Sequence, residues 1–323
     1  MAPAIRLIAR CARHLARPLY GIDRLSIQAQ VKRLGHLENP FVMVVVPGTL
    51  HVSEMALRYY PRDLQPILIL NGVRGWERKW AIEHFKSSSI VTSRVVHPHH
   101  VVLEILFRYL PCDFGIADSD LLVFDSGCFS RIQQLGKGVS MNAFFMVTNA
   151  RTGMAVPQTF FLFFRREIVL RVMDKYQVGL GVCSWQDLSV QARASLARLG
   201  FGPDNYPHVW KPFFDTLQAL MMLCAAEDYS FGILGETAGV PTPNDRLFHV
   251  GGVSYWQERQ DPWRLRGAYF SLRLLERHEH HELRRRYRKR FGQITSAGIR
   301  GQIERTGCET PVDFFDFIEQ LAK

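Results

Sequence analysis

The chain has 323 residues, of which 47% are hydrophobic and 22% charged, a composition typical of a folded protein with a large core. Its formal net charge of +10 favours anionic partners such as nucleoside diphosphates, phosphorylated glycans, anionic lipid head groups or nucleic acid. The six cysteines include no Cys-x-x-Cys pair, which argues against a zinc ribbon or disulfide scaffold. Because the sequence contains no secretory h-region and no uncharged apolar run of about 18 residues, we expect no spanning helix and a cytoplasmic location.

Residues 1–39 are predicted to form a basic amphipathic N-terminal segment. Four arginines follow one another at helical spacing, namely Arg6, Arg10, Arg13 and Arg17. Such a helix can lie on an anionic membrane, which here predicts peripheral contact at the inner face of a membrane, and an organellar presequence has similar chemistry. The alternative is a helix packed on the following domain with its basic face in solvent.

Residues 40–260 are predicted to form one domain in which buried strands alternate with helices. The first strands are predicted at Phe41–Val46, Ile67–Leu70, Ile90–Thr92 and Phe114–Ala117, and the helices between them at His51–Tyr60, Trp76–Phe85 and Val101–Tyr109. Further strands are predicted at Asn142–Thr148 and Thr159–Phe164, and further helices at Glu167–Tyr176, Leu188–Leu199 and Thr216–Ala226. This order predicts an α/β fold with a doubly wound, mostly parallel sheet.

Asp118 and Asp120 stand where the strand Phe114–Ala117 is predicted to end. Side chains two residues apart on an extended segment share a face, so both carboxylates can reach one ion. Hard oxygen ligands suit Mn²⁺ or Mg²⁺, with substrate phosphates and water completing the coordination. In open α/β sheets ligands bind beyond the carboxyl ends of the strands. We therefore expect a site for a metal ion and a diphosphate here.

Three further residues leave the first two predicted strands at the same edge of the sheet. Pro47 follows the first strand and is placed to contact the base and ribose of a nucleotide. Asn71 and Arg74 follow the second strand, and Arg74 can meet a phosphate or make a surface ion pair. We predict that these residues contribute to nucleotide binding.

A second candidate segment places His249 shortly before Gly251 and Gly252. An imidazole nitrogen can complete an octahedral Mn²⁺ site with two carboxylates. Two adjacent glycines let the backbone approach a phosphate closely. The segment is therefore predicted to supply the third metal ligand and part of the diphosphate site.

The Asp-x-Asp pair after a strand and the His-x-x-Gly segment at residues 249–252 resemble those of GT-A-type nucleotide-sugar glycosyltransferases. The resemblance implies a GT-A-like sheet flanked by helices, with helical N- and C-terminal appendages. It also implies a Mn²⁺ or Mg²⁺ ion, a nucleoside-diphosphate sugar donor, with a UDP-sugar favoured, and a glycan, lipid or small-molecule acceptor. Retaining members carry Lys-Pro before a Trp, whereas Tyr255 precedes Trp256 here.

If the reaction inverts the sugar configuration, a carboxylate must accept the proton of the acceptor hydroxyl. The sequence offers Asp215 at the start of a predicted helix, and Glu227 and Asp228 at its end. The acidic pair resembles that of some inverting GT-A enzymes, while Asp215 also suits a helix cap. These three residues are the candidate bases.

Residues 261–323 are predicted to form a basic helical region. One long helix is expected over residues 264–291, with His278, His280 and His281 on a solvated surface. A small helix is predicted at Val312–Leu321.

Two other functions fit parts of the sequence. In a haloacid-dehalogenase-type phosphatase, Asp118 would be the nucleophile and Asp120 the proton carrier. A non-enzymatic protein could instead bind anionic membranes through its basic segments. No nucleic-acid-binding motif is present, so no nucleic-acid partner is expected.

Overall fold

The computed structural model describes residues 19–208, 211–235, 246–253, 262–291, 294–307, 310 and 313–322. The four arginines predicted to line the N-terminal helix and the pair Tyr255-Trp256 lie outside these residues. Within the described part of the chain, no helix is both long and apolar enough to span a membrane.

Eleven strands are described, and seven of them form the central sheet. The strands are β1 (Phe41–Val45), β2 (Ile67–Leu70), β3 (Ser89–Thr92), β4 (Phe114–Ala117), β5 (Leu121–Val123), β6 (Val139–Ala143), β7 (Met146–Thr148), β8 (Ala155–Pro157), β9 (Phe161–Phe164), β10 (Ser230–Ile233) and β11 (Leu247–His249). The central sheet has the order β10-β6-β9-β4-β1-β2-β3, while β5 pairs with β11 and β7 with β8. Only β9 runs antiparallel to its neighbours in the central sheet, so the predicted mostly parallel sheet is confirmed.

Helices cover both faces of this sheet. A helix over residues 19–32 is called α1, and the others are α2 (Leu50–Leu57), α3 (Gly75–His84), α4 (His99–Tyr109), α5 (Gly127–Gln133), α6 (Arg166–Tyr176), α7 (Val190–Arg198), α8 (Gln218–Ala226), α9 (Pro262–Arg277), α10 (His281–Phe291), α11 (Ser296–Thr306) and α12 (Phe314–Leu321). Alternate residues of a strand point to opposite faces, and so Ile67 and Ile69 pack with α1, α4, α6, α7 and α8. Leu68 and Leu70 pack with α2, α3 and α9–α12. The continuous apolar sequence of β2 thus reflects burial on both faces, as expected for a doubly wound α/β fold.

The described part of the N-terminal segment packs against the edge strand β3. Ile27 and Val31 of α1 are fully buried. The side-chain amide of Gln30 accepts a hydrogen bond from the backbone N–H of Thr92 at 2.9 Å and donates one to its carbonyl at 3.0 Å. The carboxylate of Asp23 accepts bonds from the backbone N–H groups of Arg94 and Val95. Residues 19–32 therefore form a helix that packs on the rest of the protein, which is the alternative to a membrane-bound helix named in the sequence analysis.

The predicted continuous helix over residues 264–291 is wrong, because α9 and α10 are separated at residues 278–280. The Nδ1 atom of His278 accepts a hydrogen bond from the backbone N–H of His280 at 3.1 Å, a side-chain contact that competes with the helical backbone pattern. The Nε2 atom of His278 lies 2.6 Å from Glu54 Oε2. The expectation of a solvated histidine surface therefore does not hold for His278.

Other differences concern elements with weak sequence patterns. The strand predicted over Asn142–Thr148 is split between β6 and β7, and β10 and α11 were not predicted. In β10, Phe231 and Ile233 alternate with Ser230 and Gly232, a pattern too short to stand out.

Candidate active site

The two aspartates lie at the end of β4, where the chain turns out of the sheet. The ladder between β4 and β9 pairs Ala117 with Phe161 and continues one residue further, because the N–H of Asp118 donates to the carbonyl of Phe160 at 2.9 Å. The N–H of Leu121 then donates to the carbonyl of Asp118 at 3.1 Å, which closes the turn. The Asp118 side chain is 39% exposed and that of Asp120 is 9% exposed, so one carboxylate faces the open side of the site and the other its floor.

His249 reaches these aspartates through the β5–β11 pair. In this antiparallel ladder His249 lies opposite Leu121, the residue that follows Asp120. Its Nε2 atom is 3.4 Å from Asp120 Oδ1 and 3.6 Å from Asp118 Oδ2. Across the described ranges, these are the three side chains of His, Cys, Asp or Glu that can bring their ligand atoms within 4.8 Å of one another. Strand pairing thus assembles residues that lie far apart in the sequence.

The loop after β11 wraps around Asp120. The N–H of Val250 donates to the Asp120 carbonyl at 3.2 Å, and the N–H of Val253 points to its Oδ2 atom at 3.4 Å. Gly251 and Gly252 have φ angles of +73° and +74°, which residues with a Cβ atom adopt at an energetic cost. The predicted pair of glycines therefore gives the loop the backbone shape that it needs beside the cluster.

The charges of the cluster stabilise one another. Burial alone would lower the pKa of His249, but the carboxylates of Asp120 and Asp118 raise it to about 9. Burial would likewise raise the pKa of Asp120, yet the positive charge of His249 and the hydrogen bonds from His249 and Val253 lower it. Without a metal ion, the proton on His249 offsets part of the negative charge of the two aspartates.

The donor atoms suit a divalent cation. Two carboxylate oxygens and one imidazole nitrogen form an O₂N set that Mn²⁺ accepts, and the carboxylate-rich composition also suits Mg²⁺. The exposure of Asp118 leaves one side accessible to further oxygen ligands from a substrate. Asp118, Asp120 and His249 therefore fit the metal-binding role predicted for them.

Three neighbours of the cluster were not found from the sequence. The ring of Phe160 stacks on His249 with 3.9 Å between centroids and 13° between planes. Burial raises the pKa of Tyr60, and the charge of Asp118 acts in the same direction. Burial lowers the pKa of His99, and the charge of Asp118 opposes that shift. Tyr60 and His99 thus lie within electrostatic reach of Asp118, although no sequence motif marks them.

The residues predicted at the ends of β1 and β2 have different environments. Pro47 is half-buried in the loop after β1, and Arg74 is exposed at the start of α3. Asn71 is buried, and its side chain accepts from the N–H of His97 and donates to its carbonyl, both at 2.8 Å. Asn71 therefore holds the loop before α4, and its amide is engaged inside the protein.

None of the three candidate bases is part of the cluster. Glu227 and Asp228 lie at the other end of the sheet, and Asp215 is bound by another side chain. β10 runs parallel to β4, and Glu227 and Asp228 immediately precede β10. They therefore lie at the amino end of these strands, opposite the end that carries Asp118. Glu227 is bound by Lys175 and Tyr176, and Asp215 forms an ion pair with Lys211.

Residues 23–169, a little under half of the chain, match the family model described as the StrH glycosyltransferase N-terminal domain. No curated protein matches the chain. Among solved structures, the glycosyltransferase GlyE of Streptococcus pneumoniae TIGR4 in its apo form is 10% identical, with a TM-score of 0.38, over 85% of this chain and 65% of GlyE. A second GlyE structure gives the same identity and TM-score over 85% of this chain and 66% of that one.

A 4-diphosphocytidyl-2C-methyl-D-erythritol synthase is 11% identical, with a TM-score of 0.30, over 43% of this chain and 80% of the synthase. TM-scores of this size describe a distant likeness and carry no weight in assigning the activity. The matched residues 23–169 carry β1–β4 together with Asp118 and Asp120, so this part of the chain is similar to a glycosyltransferase domain, while His249 lies beyond the match.

Proposed function

We propose that the protein transfers a sugar from a nucleoside-diphosphate donor to an acceptor in a metal-dependent reaction. The observation that carries the proposal is the convergence of Asp118, Asp120 and His249 at the carboxyl end of β4. The match to a glycosyltransferase domain supports transfer over the phosphatase and membrane-binding alternatives. A UDP-sugar is the favoured donor, the acceptor is a glycan, lipid or small molecule, and the reaction takes place in the cytoplasm, with the basic N-terminal segment in contact with the inner face of a membrane.

Each of the three side chains has a distinct role in binding a divalent ion and its substrate. A bound Mn²⁺ or Mg²⁺ supplies Lewis-acid stabilisation of the charge that develops on the departing diphosphate. Asp120 is the buried ligand, fixed by the N–H of Val253, and His249 is the ligand fixed by the β5–β11 pair. Asp118 is the exposed ligand and faces the side from which the donor enters.

The surrounding loops hold the nucleotide in this proposal. Pro47 lies beside the base and ribose, and the exposed guanidinium of Arg74 neutralises phosphate charge. Backbone at Gly251 and Gly252 approaches the diphosphate, because no Cβ atom obstructs it. The domain that carries these parts spans residues 40–260, between the basic N-terminal segment and the helical region from residue 261.

The test is binding of UDP, GDP and TDP, measured by calorimetry with and without Mn²⁺. We expect metal-dependent binding of one nucleotide, strongest for UDP, and its loss in Asp120→Asn, which keeps the size of the side chain but removes its charge. Asp63→Asn is the matched control, because Asp63 is exposed and precedes β2, at the end of the parallel strands opposite to the one that carries Asp118. Binding that is independent of metal, or absent for all three nucleotides, would contradict the proposal.

A further inference from the structure

Phe160 contacts two of the three candidate ligands in different ways. Its carbonyl accepts the hydrogen bond from the Asp118 N–H at 2.9 Å, one step beyond the pairing of Ala117 with Phe161. The Phe160 ring lies on the side of the Asp118 carboxylate, because it stacks on His249, whose Nε2 atom is 3.6 Å from Asp118 Oδ2. The residue that immediately precedes the strand β9 is thus joined to the end of β4.

The ring of Phe160 holds the third ligand. It lies nearly parallel to the imidazole of His249, with 3.9 Å between the ring centroids and 13° between the planes. The Phe160 ring also packs against the ring of Phe145, with 4.5 Å between the two centroids. Phe160 is only 9% exposed, so its ring is itself held by packing and has little freedom to turn.

This arrangement restricts how His249 can rotate. An imidazole presents Nε2 to a metal ion along one direction in the ring plane, and a flat neighbour at stacking distance fixes that plane. Nε2 then stays directed at Asp120 and Asp118, 3.4 and 3.6 Å away. A branched aliphatic side chain at position 160 would fill part of the volume but would not define a plane.

We propose that Phe160 is a positioning residue that aligns Asp118 and His249 to bind the divalent cation. The inference rests on the proposed function, since it assigns a role towards the metal ion of the same site. Phe160 takes part in no chemical step. It acts through the two ligands, from a position just before β9 that lies outside the Asp-x-Asp and His-x-x-Gly patterns.

The experiment compares Phe160→Leu, Phe160→Tyr and Phe144→Leu in the full chain. Phe144 is the matched control because it is also buried, and its ring stacks on Phe161 with 5.4 Å between centroids and 14° between planes. Mn²⁺ affinity is measured by calorimetry and thermal stability by the midpoint of unfolding. We expect Phe160→Leu to weaken Mn²⁺ binding by about tenfold or more, the size found when groups that orient metal ligands are removed.

Phe160→Tyr retains the flat ring, and this variant should bind Mn²⁺ with the affinity of the wild type. Phe144→Leu should lower the unfolding midpoint as much as Phe160→Leu but leave Mn²⁺ affinity unchanged. Equal affinities in Phe160→Leu and wild type, or equal losses in both Leu variants, would overturn the inference and leave the proposed function standing. A wild-type protein that binds neither Mn²⁺ nor Mg²⁺ would overturn both.

A second measurement needs neither metal nor a folded Phe160 variant. In metal-free wild-type protein, the ring protons of His249 should resonate upfield because they lie over the Phe160 ring. His249→Gln assigns the signal by its disappearance. A His249 signal at the position of an exposed histidine would show that the two rings are not stacked and would overturn the inference.

Discussion

The Nε2 atom of His249 lies 3.4 Å from Asp120 Oδ1, because the residue after this aspartate, Leu121, pairs with His249 in the β5–β11 ladder. The pairing brings an imidazole to two carboxylates, and these carboxylates raise the pKa of His249 to about 9. A proton and a metal ion therefore compete for the same nitrogen. This competition gives the site a definite pH dependence.

Mn²⁺ affinity should increase as the pH rises from 6 to 9. At pH values below about 9 the metal-free His249 is protonated, and it must lose this proton before it can bind a metal ion. We expect about tenfold tighter binding per pH unit in this range, with about one proton released per ion. Calorimetry in two buffers of different ionisation enthalpy measures both quantities.

His249→Gln provides the comparison for this pH dependence. Gln offers a neutral ligand atom, so the variant should bind Mn²⁺ more weakly at pH 9 and show a much flatter pH profile. A wild-type affinity that does not change between pH 6 and 9 would be inconsistent with a protonated His249 in the metal-free site.

Asn71→Ala should reduce stability and leave nucleotide affinity unchanged in the folded protein. The substitution leaves the N–H and carbonyl of His97 buried without their partner, which costs about 1–3 kcal/mol of unfolding free energy. Urea unfolding measures this cost. Gln65→Ala removes an exposed amide just before β2 and should change stability by less than about 0.5 kcal/mol. A specific loss of nucleotide binding at full stability would instead favour direct contact between Asn71 and the donor.

Glu227→Gln should leave the turnover of the proposed sugar transfer unchanged. Glu227 lies at the amino end of β10, away from Asp118, and its partners Lys175 and Tyr176 are both on α6. A largely surface ion pair of this kind contributes little to stability, because solvent screens it. Release of the nucleoside diphosphate from the donor measures turnover, with Asp118→Asn as the inactive reference. A Glu227→Gln enzyme as slow as Asp118→Asn would restore Glu227 as a candidate base.

Gly267→Ala should destabilise the protein and weaken metal-dependent nucleotide binding. A Cβ atom at this position of α9 would lie 2.5 Å from the carbonyl oxygen of Gly251 and 2.6 Å from the carbonyl carbon of Gly252. The helix and loop must then separate, at about 1–3 kcal/mol. Gly21→Ala is the control on another helix, since no atom outside its own stretch of helix lies within 4 Å of the added Cβ position, and it should be neutral or stabilise by up to about 1 kcal/mol. Thermal unfolding and nucleotide calorimetry distinguish the two variants.

The sequence was sufficient to locate the first half of the sheet. Runs such as Ile67–Leu70 and Phe114–Ala117 are buried on both faces, so their boundaries coincide with changes in polarity. The meeting of His249 with Asp118 and Asp120 was predicted from the chemistry of these ligands and from a family resemblance. Its cause, the pairing of β5 with β11, could not be predicted because each strand has only three residues.

Contacts between residues that lie far apart in the sequence could also not be predicted. Nothing in the sequence marks Phe160, because the residues that follow it, Phe161–Phe164, share its apolar character. At the break between α9 and α10, His278 contacts Glu54 on α2, a residue far away in the sequence. Local periodicity predicted the helical character of this region but not the contact that interrupts it.

The contact between Gln30 and Thr92 affects the self-association of the protein through its edge strand β3. β3 is an outer strand of the central sheet, and an outer strand with free N–H and carbonyl groups is a template for pairing with another chain. The Gln30 amide occupies one donor and one acceptor of this strand, as a neighbouring backbone would. The N-terminal helix therefore protects the protein against self-association by strand pairing, which makes its attachment to the domain relevant to solubility as well as to folding.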